Sequence, residues 1–224
     1  MMFDLSKINQ IIETLPSKWD DYIGKPTASS FAKYVYLLNS KKNIYKNDKL
    51  PEYIRLEKGI EGHIIIDRLM NNSGYKEHFG GITRSEWEYV YADNDSSSKS
   101  SFICSKLTYE GQKLKCKPDL LLRYKNTENY LIIERKTTRV PAKLIPNDGW
   151  DNVQAQLWVY SWMDQLKDAD RVFLAGDFWT WNSAGKIIPI QDNTVLPFFE
   201  KGEAEHERKC EDYFIKWGGK INRK

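Results

Sequence analysis

The sequence contains little cysteine, with three cysteines among its 224 residues and no C-x-x-C pair. Cys104, Cys116 and Cys210 are an odd number, which argues against a disulfide framework and gives no strong metal-binding signature. His206 and Cys210 lie one helical turn apart, a spacing that a surface helix explains without zinc. A disulfide-stabilised scaffold and a cysteine-based zinc domain are therefore not indicated.

Long apolar runs are also absent. No segment approaches the roughly 20 consecutive apolar residues that are needed to cross a bilayer. The first residues, MMFDLSKINQ, lack the basic start and the apolar middle of a secretory signal. We therefore expect a cytoplasmic protein that has no membrane partner.

Neither sign of charge dominates, since 34 basic and 31 acidic residues give a net charge of +3. Such a total says little about the partner. Two local basic clusters, NSKKNIYKNDK and the terminal KWGGKINRK, permit contact with phosphates, although such runs are more often solvated loops and termini. Charge alone is thus compatible with nucleic-acid binding and does not establish it.

The residues that are present predict one folded domain over 1–224, with 41% hydrophobic residues, eight Trp and thirteen Tyr. Their periodicity predicts three helices, then a group of strands, then a helix, more strand and a last helix. This order predicts an α/β fold in which helices flank a mixed central β-sheet. The predicted helices fall in 4–15, 27–39, 51–71, 150–168 and 196–217, and the strands in 85–92, 101–124 (as two strands joined at 110–112), 130–138, 171–181 and 186–191.

The stretch LIIERKTTR, residues 131–139, places charged side chains at the end of an apolar strand. Side chains alternate along a strand, so Glu134 and Lys136 share one face and Arg135 takes the other. Asp119 follows Pro118 in the preceding predicted strand and is expected to lie across the sheet from Glu134. A strand that simply leaves the core with a surface ion pair is the alternative for the Glu-x-Lys element alone.

Two converging carboxylates provide the oxygen ligands that a hard divalent cation prefers, and both would be costly to bury without one. Lys136 can orient a water or neutralise charge that develops on a phosphate. Because nearby carboxylates favour its protonated form, electrostatic stabilisation is the safer assignment.

The order Pro118-Asp119, then Glu134-x-Lys136, resembles the PD-(D/E)XK nuclease superfamily, which implies a restriction-endonuclease-like core. KGIEGHIIIDRL, with Gly59 and His63, is similar to the G-x-x-x-H pattern of RecB-like exonuclease families. QAQLWVYSWM is similar to their Q-x-x-x-Y pattern through Gln156 and Tyr160. The resemblance covers about residues 27–165, whereas the strands and helix predicted in 166–217 add nothing diagnostic.

The resemblance implies a deoxyribonuclease that uses Mg²⁺ or Mn²⁺, acts on single- or double-stranded DNA from its ends, and reads little base sequence. The families carry an iron–sulfur cluster in some members, but no cysteine precedes His63 here, so we expect no cluster. The implied catalytic residues are Asp119, Glu134, Lys136, Gln156 and Tyr160, and the implied metal ligands are His63, Asp119, Glu134 and the backbone carbonyl of Arg135.

Other interpretations remain open at this stage. His63 can be a hydrogen-bonded core histidine, and Gln156 and Tyr160 can line an amphipathic helix edge. A sequence-specific endonuclease of the same fold and a non-catalytic nucleic-acid-binding module are the competing functions. Three tryptophans on or near the Gln156 helix offer stacking surfaces for bases or core packing, namely Trp150, Trp158 and Trp162. The choice of DNA or RNA, the oligomeric state, and any protein partners in a recombination, repair, phage or defence complex are undetermined.

Overall fold

The computed structural model describes residues 25–40, 58–59, 61–66, 86–92, 101–138, 145–190 and 197–222. The helix predicted at 4–15 lies outside these residues. Residues 58–59 and 61–66 are helical, within the helix predicted at 51–71. The named helices are α1 (Ala28–Ser40), α2 (Asp151–Ser161) and α3 (Ala204–Trp217), and the strands are β1 (Trp87–Ala92), β2 (Phe102–Tyr109), β3 (Gln112–Cys116), β4 (Leu120–Tyr124), β5 (Asn129–Thr138), β6 (Arg171–Trp181), β7 (Ile187–Pro189), β8 (Pro197–Glu200) and β9 (Gly219–Ile221).

The central sheet has the strand order β1-β4-β5-β6-β7, and β8 also pairs with β6. Strands β4 and β5 are antiparallel neighbours joined by a short turn. Strands β5 and β6 are parallel, and α2 lies in the connection between them, as a parallel pair requires. The predicted mixed α/β architecture is confirmed.

Both faces of the central sheet are covered by apolar side chains, because the residues of β5 alternate between two clusters. Ile132 packs in the cluster that contains most of α2 and part of α1. Leu131 and Ile133 point the other way and pack with Ile66 of the helical residues 61–66. The strand is therefore buried on both sides from Leu131 to Arg135, which includes its first two charged residues.

The segment predicted as two strands forms three. Strands β2 and β3 make a hairpin through Glu110 and Gly111, both of which have positive φ. This hairpin leaves the central sheet and pairs with β9 in a separate three-stranded sheet. Pro118 explains the break, because proline cannot donate to a ladder and restricts the residue before it. Strand β4 therefore starts only at Leu120, and Asp119 precedes the strand instead of lying within it.

The helices that were predicted in the second half of the chain are shorter in the structure. The predicted helix at 150–168 ends at Ser161 and is followed by a short 3-10 helix, Asp164–Leu166. In the C-terminal segment, β8 comes before α3. α3 is a surface helix, as expected, and His206 and Cys210 lie on its buried face. Among the described residues, no helix is long and apolar enough to span a bilayer.

Candidate active site

The predicted acidic residues meet at the start of β4 and in the second half of β5. The antiparallel register pairs Leu120 with Ile133, so Asp119 comes one position further, level with Glu134. The backbone N–H of Arg135 donates to Oδ2 of Asp119 over 2.6 Å. This hydrogen bond attaches Asp119 to β5 at the residue that lies between Glu134 and Lys136.

Glu134 and Lys136 point to the same face, as their spacing predicted. The Lys136 ammonium donates to Oε1 of Glu134. The glutamate is only 4% exposed, and its second oxygen, Oε2, is buried without a hydrogen-bond partner in the described part of the chain. Burial raises the pKa of Glu134 to about 7, with Lys136 opposing the shift and Asp119 adding to it. Burial disfavours the Lys136 ammonium, but Glu134 and Asp119 raise its pKa above the usual value.

His63 faces Asp119 from the helical residues 61–66. Its Nδ1 lies 3.5 Å from Oδ1 of Asp119, and about a third of the imidazole is exposed. Burial acts to lower the pKa of His63, but the hydrogen bond and charge of Asp119 raise it overall. The pKa of Asp119 is lowered although burial opposes this, because His63, Lys136 and Arg135 all favour the carboxylate. Each of these two groups therefore shifts the pKa of the other in the direction that favours the charged pair of His63 and Asp119.

Two glycines, Gly59 and Gly62, lie in the helical segment that carries His63. A Cβ on Gly62 would lie 2.4 Å from Cγ2 of Thr137 and 3.1 Å from Cδ1 of Ile187, so only glycine allows this close approach. A Cβ on Gly59 would have its nearest neighbour at 3.8 Å, an ordinary contact. The predicted Gly59-x-x-x-His63 motif is therefore present, but the glycine that the packing requires is Gly62.

Gln156 and Tyr160 connect Lys136 to the backbone of Lys117. Lys136 Nζ lies 3.3 Å from Oε1 of Gln156, whose Nε2 donates to the Tyr160 hydroxyl over 2.6 Å. That hydroxyl donates to the carbonyl of Lys117 over 3.0 Å. The Tyr160 ring is fully buried in the core around α2, so it holds Gln156 in place and offers no face to a base.

Arg135 directs its side chain to the opposite face of β5. The guanidinium is 3% exposed, and its Nε donates to Oδ2 of Asp177 over 3.0 Å. Trp179 Nε1 donates to the other carboxylate oxygen over 2.8 Å. Sequence reasoning missed Asp177. The available signal was a single acidic residue within the apolar β6 run RVFLAGDFWTW, which lies level with Arg135 in the parallel register.

The residues fit a divalent cation in their chemistry but do not form a complete metal site. In the described ranges, no group of three or more His, Cys, Asp and Glu side chains is arranged to hold a metal ion. Asp119 uses both oxygens, towards His63 and the Arg135 N–H, and Glu134 uses one, towards Lys136. The remaining buried oxygen of Glu134 lacks a partner, and a hard cation bound by oxygen ligands would satisfy it. Coordination by His63 and by the carbonyl of Arg135 stays a prediction.

Comparison with known proteins assigns no family. No family model and no curated protein matches the chain. The chain is similar to the crystal structure of SSO0001, with a TM-score of 0.38 and 15% identity over 96% of this chain and 88% of that one. It is also similar to an alkaline exonuclease from Laribacter hongkongensis, with a TM-score of 0.39 and 14% identity over 90% of this chain and 92% of the other. These scores are too low to assign a fold family or an activity.

Proposed function

We propose that the protein is a nuclease that uses Mg²⁺ or Mn²⁺ to hydrolyse the phosphodiester bonds of DNA. The observation that supports this most strongly is the arrangement of Asp119, Glu134 and Lys136 at the start of β4 and in the second half of β5. Two carboxylates and an ammonium are gathered there, and Oε2 of Glu134 is buried without a partner in the described residues.

The metal is the chemical reason for this arrangement. Leaving a carboxylate oxygen buried and unpaired is costly, and Lys136 pairs with only one of the two oxygens of Glu134. A divalent cation between Asp119 and Glu134 would supply the missing partner, with His63 and the Arg135 carbonyl as further ligands. When bound, the cation polarises the phosphodiester and lowers the pKa of an attacking water.

The protein side chains hold the reacting groups. Lys136 stays protonated beside Glu134 and Asp119, so it supplies positive charge for a phosphate on which negative charge develops. Gln156 accepts from the same ammonium and is itself held by Tyr160. Lys136 is therefore positioned both by its own strand and by α2.

We further propose that hydrolysis proceeds from DNA ends, in recombination, repair or phage and defence processing. The described site contains charged and amide groups that suit phosphates, and the proposed contacts read no base edges. An endonuclease of the same fold and a non-catalytic nucleic-acid-binding module are the alternatives that the experiment must separate.

One assay tests the proposal. Purified protein is incubated with linear and circular DNA, single- and double-stranded, and with RNA, in magnesium, manganese or a chelator. We expect cleavage of linear DNA that a chelator abolishes and that Asp119→Ala and Glu134→Ala lack. Cleavage that continues in the chelator would show that the metal proposal is wrong, and rapid opening of covalently closed circles would favour the endonuclease.

A further inference from the structure

A second cationic group lies away from the carboxylates, around Trp162. The ammonium of Lys106 is 3.2 Å from the centroid of the Trp162 ring, and the ammonium of Lys201 is 4.2 Å from it. Lys106 belongs to β2, Trp162 directly follows α2, and Lys201 directly follows β8. Three separate elements thus bring two positive charges to one indole, and all three side chains remain partly exposed.

In the part of the chain that the structure describes, neither ammonium forms a salt bridge with a carboxylate, although the charge of Glu207 acts on Lys201. The nearby acidic groups are already bound to other donors. Asp164 accepts from the backbone N–H and the hydroxyl of Ser105 over 2.8 and 2.6 Å. Glu207 accepts from Trp158 Nε1 over 2.8 Å and from a backbone N–H over 3.2 Å. The two lysines are therefore held close together with the indole as their principal partner.

This arrangement has a cost that an anion would remove. Burial lowers the pKa of Lys201, the neighbouring charge of Lys106 lowers it further, and the charge of Glu207 opposes the shift without reversing it. The indole Nε1–H of Trp162 is itself buried without a hydrogen-bond partner among the described residues. Cation–π contact stabilises each lysine on the ring but does not cancel the repulsion between them.

The backbone of Lys201 connects this group to the central sheet, which also carries the candidate active site. The Lys201 N–H donates to the carbonyl of Val172, which pairs with Tyr130 in the β5–β6 register. Glu134 is four residues further along β5, which at about 3.3 Å per residue is about 13 Å. The sheet face between these two levels is covered by α2, since Ile132, Val172 and Leu174 are buried in the cluster that contains this helix, so a bound strand would reach both sites around α2.

We infer that Lys106, Lys201 and Trp162 form a second binding site, which takes a backbone phosphate of a nucleic-acid strand whose scissile bond lies at Asp119 and Glu134. The two ammonium groups neutralise the phosphate, and the indole on which both lie holds them at the site. The inference rests on the proposed function for the identity of the anion as nucleic acid and for the position of the scissile bond.

Binding is measured first, without cleavage. A fluorescent 20-nucleotide single-stranded DNA is titrated in a chelator with the wild type, Lys106→Gln, Lys201→Gln and the matched control Lys167→Gln. Lys167 is highly exposed beside Asp168 and carries the same charge. We expect about tenfold weaker binding for each of the first two variants, as for one lost charge-assisted hydrogen bond. The slope of log affinity against log salt should become less negative by about 0.7 for each lost phosphate contact.

The outcomes separate the second site from the proposed function. Equal loss of affinity in Lys106→Gln, Lys201→Gln and Lys167→Gln, or none in all three, overturns the second site even if the wild type cleaves DNA. Selective loss in the two cluster variants supports the site even if the wild type cleaves nothing. Lys106→Arg keeps the charge and should retain binding, which distinguishes loss of the phosphate contact from loss of folding.

Discussion

The backbone N–H of Arg135 donates to Oδ2 of Asp119 over 2.6 Å, while the side chain of Arg135 pairs with Asp177 on the other face of the sheet. One residue therefore connects the candidate site to a buried ion pair. Because Glu134 and Lys136 are its two neighbours on β5, the position of this residue also determines where their side chains emerge. The geometry of the acidic site thus depends on the contact between Arg135 and Asp177 on the opposite face of the sheet.

Loss of Asp177 should destabilise the fold and weaken the site together. Asp177→Ala leaves the Arg135 guanidinium buried without this carboxylate, and removing one partner of a buried pair costs about 3–5 kcal/mol. Urea unfolding should show this loss. The matched control is Glu88→Ala, which breaks the exposed pair with Arg123 and should leave the urea midpoint nearly unchanged. Similar midpoints for both variants would show that the buried pair does not hold β5.

Enlarging Gly62 should displace the helical residues that carry His63. In Gly62→Ala the new methyl group would overlap Cγ2 of Thr137, and such overpacking costs about 1–3 kcal/mol. We expect a lower melting temperature and, if His63 binds metal, a higher metal concentration for half-maximal cleavage. Gly59→Ala is the matched control, because its methyl group finds ordinary space and alanine favours a helix.

A second substitution tests the cause of that effect. Thr137→Ser removes the methyl carbon that would lie 2.4 Å from the new methyl group at position 62, so it should partly restore the stability of Gly62→Ala. Thr137→Ser alone should have a small effect. If the double variant is no more stable than Gly62→Ala, contact with Thr137 is not the reason that glycine is needed.

The sequence allowed the meeting of Asp119 with Glu134 to be predicted, because a short turn between antiparallel strands and the alternation of side chains determine it. It did not predict the partner of Arg135. Asp177 reaches Arg135 only through the parallel register of β5 and β6, which depends on how α2 crosses the sheet. Local periodicity carries no information on that register. The sequence also did not predict that β2 and β3 leave the central sheet. Their partner strand β9 lies about a hundred residues further along the chain, and local periodicity does not indicate such a distant pairing.

Removing the Tyr160 hydroxyl should lower turnover more than substrate binding. In Tyr160→Phe, Gln156 loses the acceptor that holds its amide, so its contact with Lys136 becomes less well defined. We expect kcat to fall by about tenfold with a smaller change in KM, and Asp119→Ala to be far more severe. Tyr213→Phe is the control, because its hydroxyl bonds to Asp151 at the start of α2. Its effect should appear in stability, and an equal loss of kcat there would contradict the assignment to Tyr160.

His206 should make the fold sensitive to mild acid. The imidazole is 2% exposed and stacks on Phe199, with ring centroids 3.8 Å apart. Burial lowers its pKa to about 4, against a contact with the Gln154 backbone that raises it, and the charge of Lys209 adds to the lowering. The unfolded chain therefore binds this proton at a higher pH than the folded protein does.

The sign of the effect follows from that order of proton binding. The contribution of His206 to the free energy of unfolding is highest above pH 6.5, the pKa of His206 in the unfolded chain, where the imidazole is neutral in both states. It falls as the pH decreases towards about 4, the pKa of His206 in the folded protein. Between pH 8 and pH 5, this amounts to a loss of about 2 kcal/mol from His206 alone. His206→Phe keeps a ring on Phe199 but cannot bind the proton. Urea unfolding at both pH values should show the wild type losing about that much more stability than the variant. Parallel losses would mean that His206 is protonated as readily in the folded protein as in the unfolded chain.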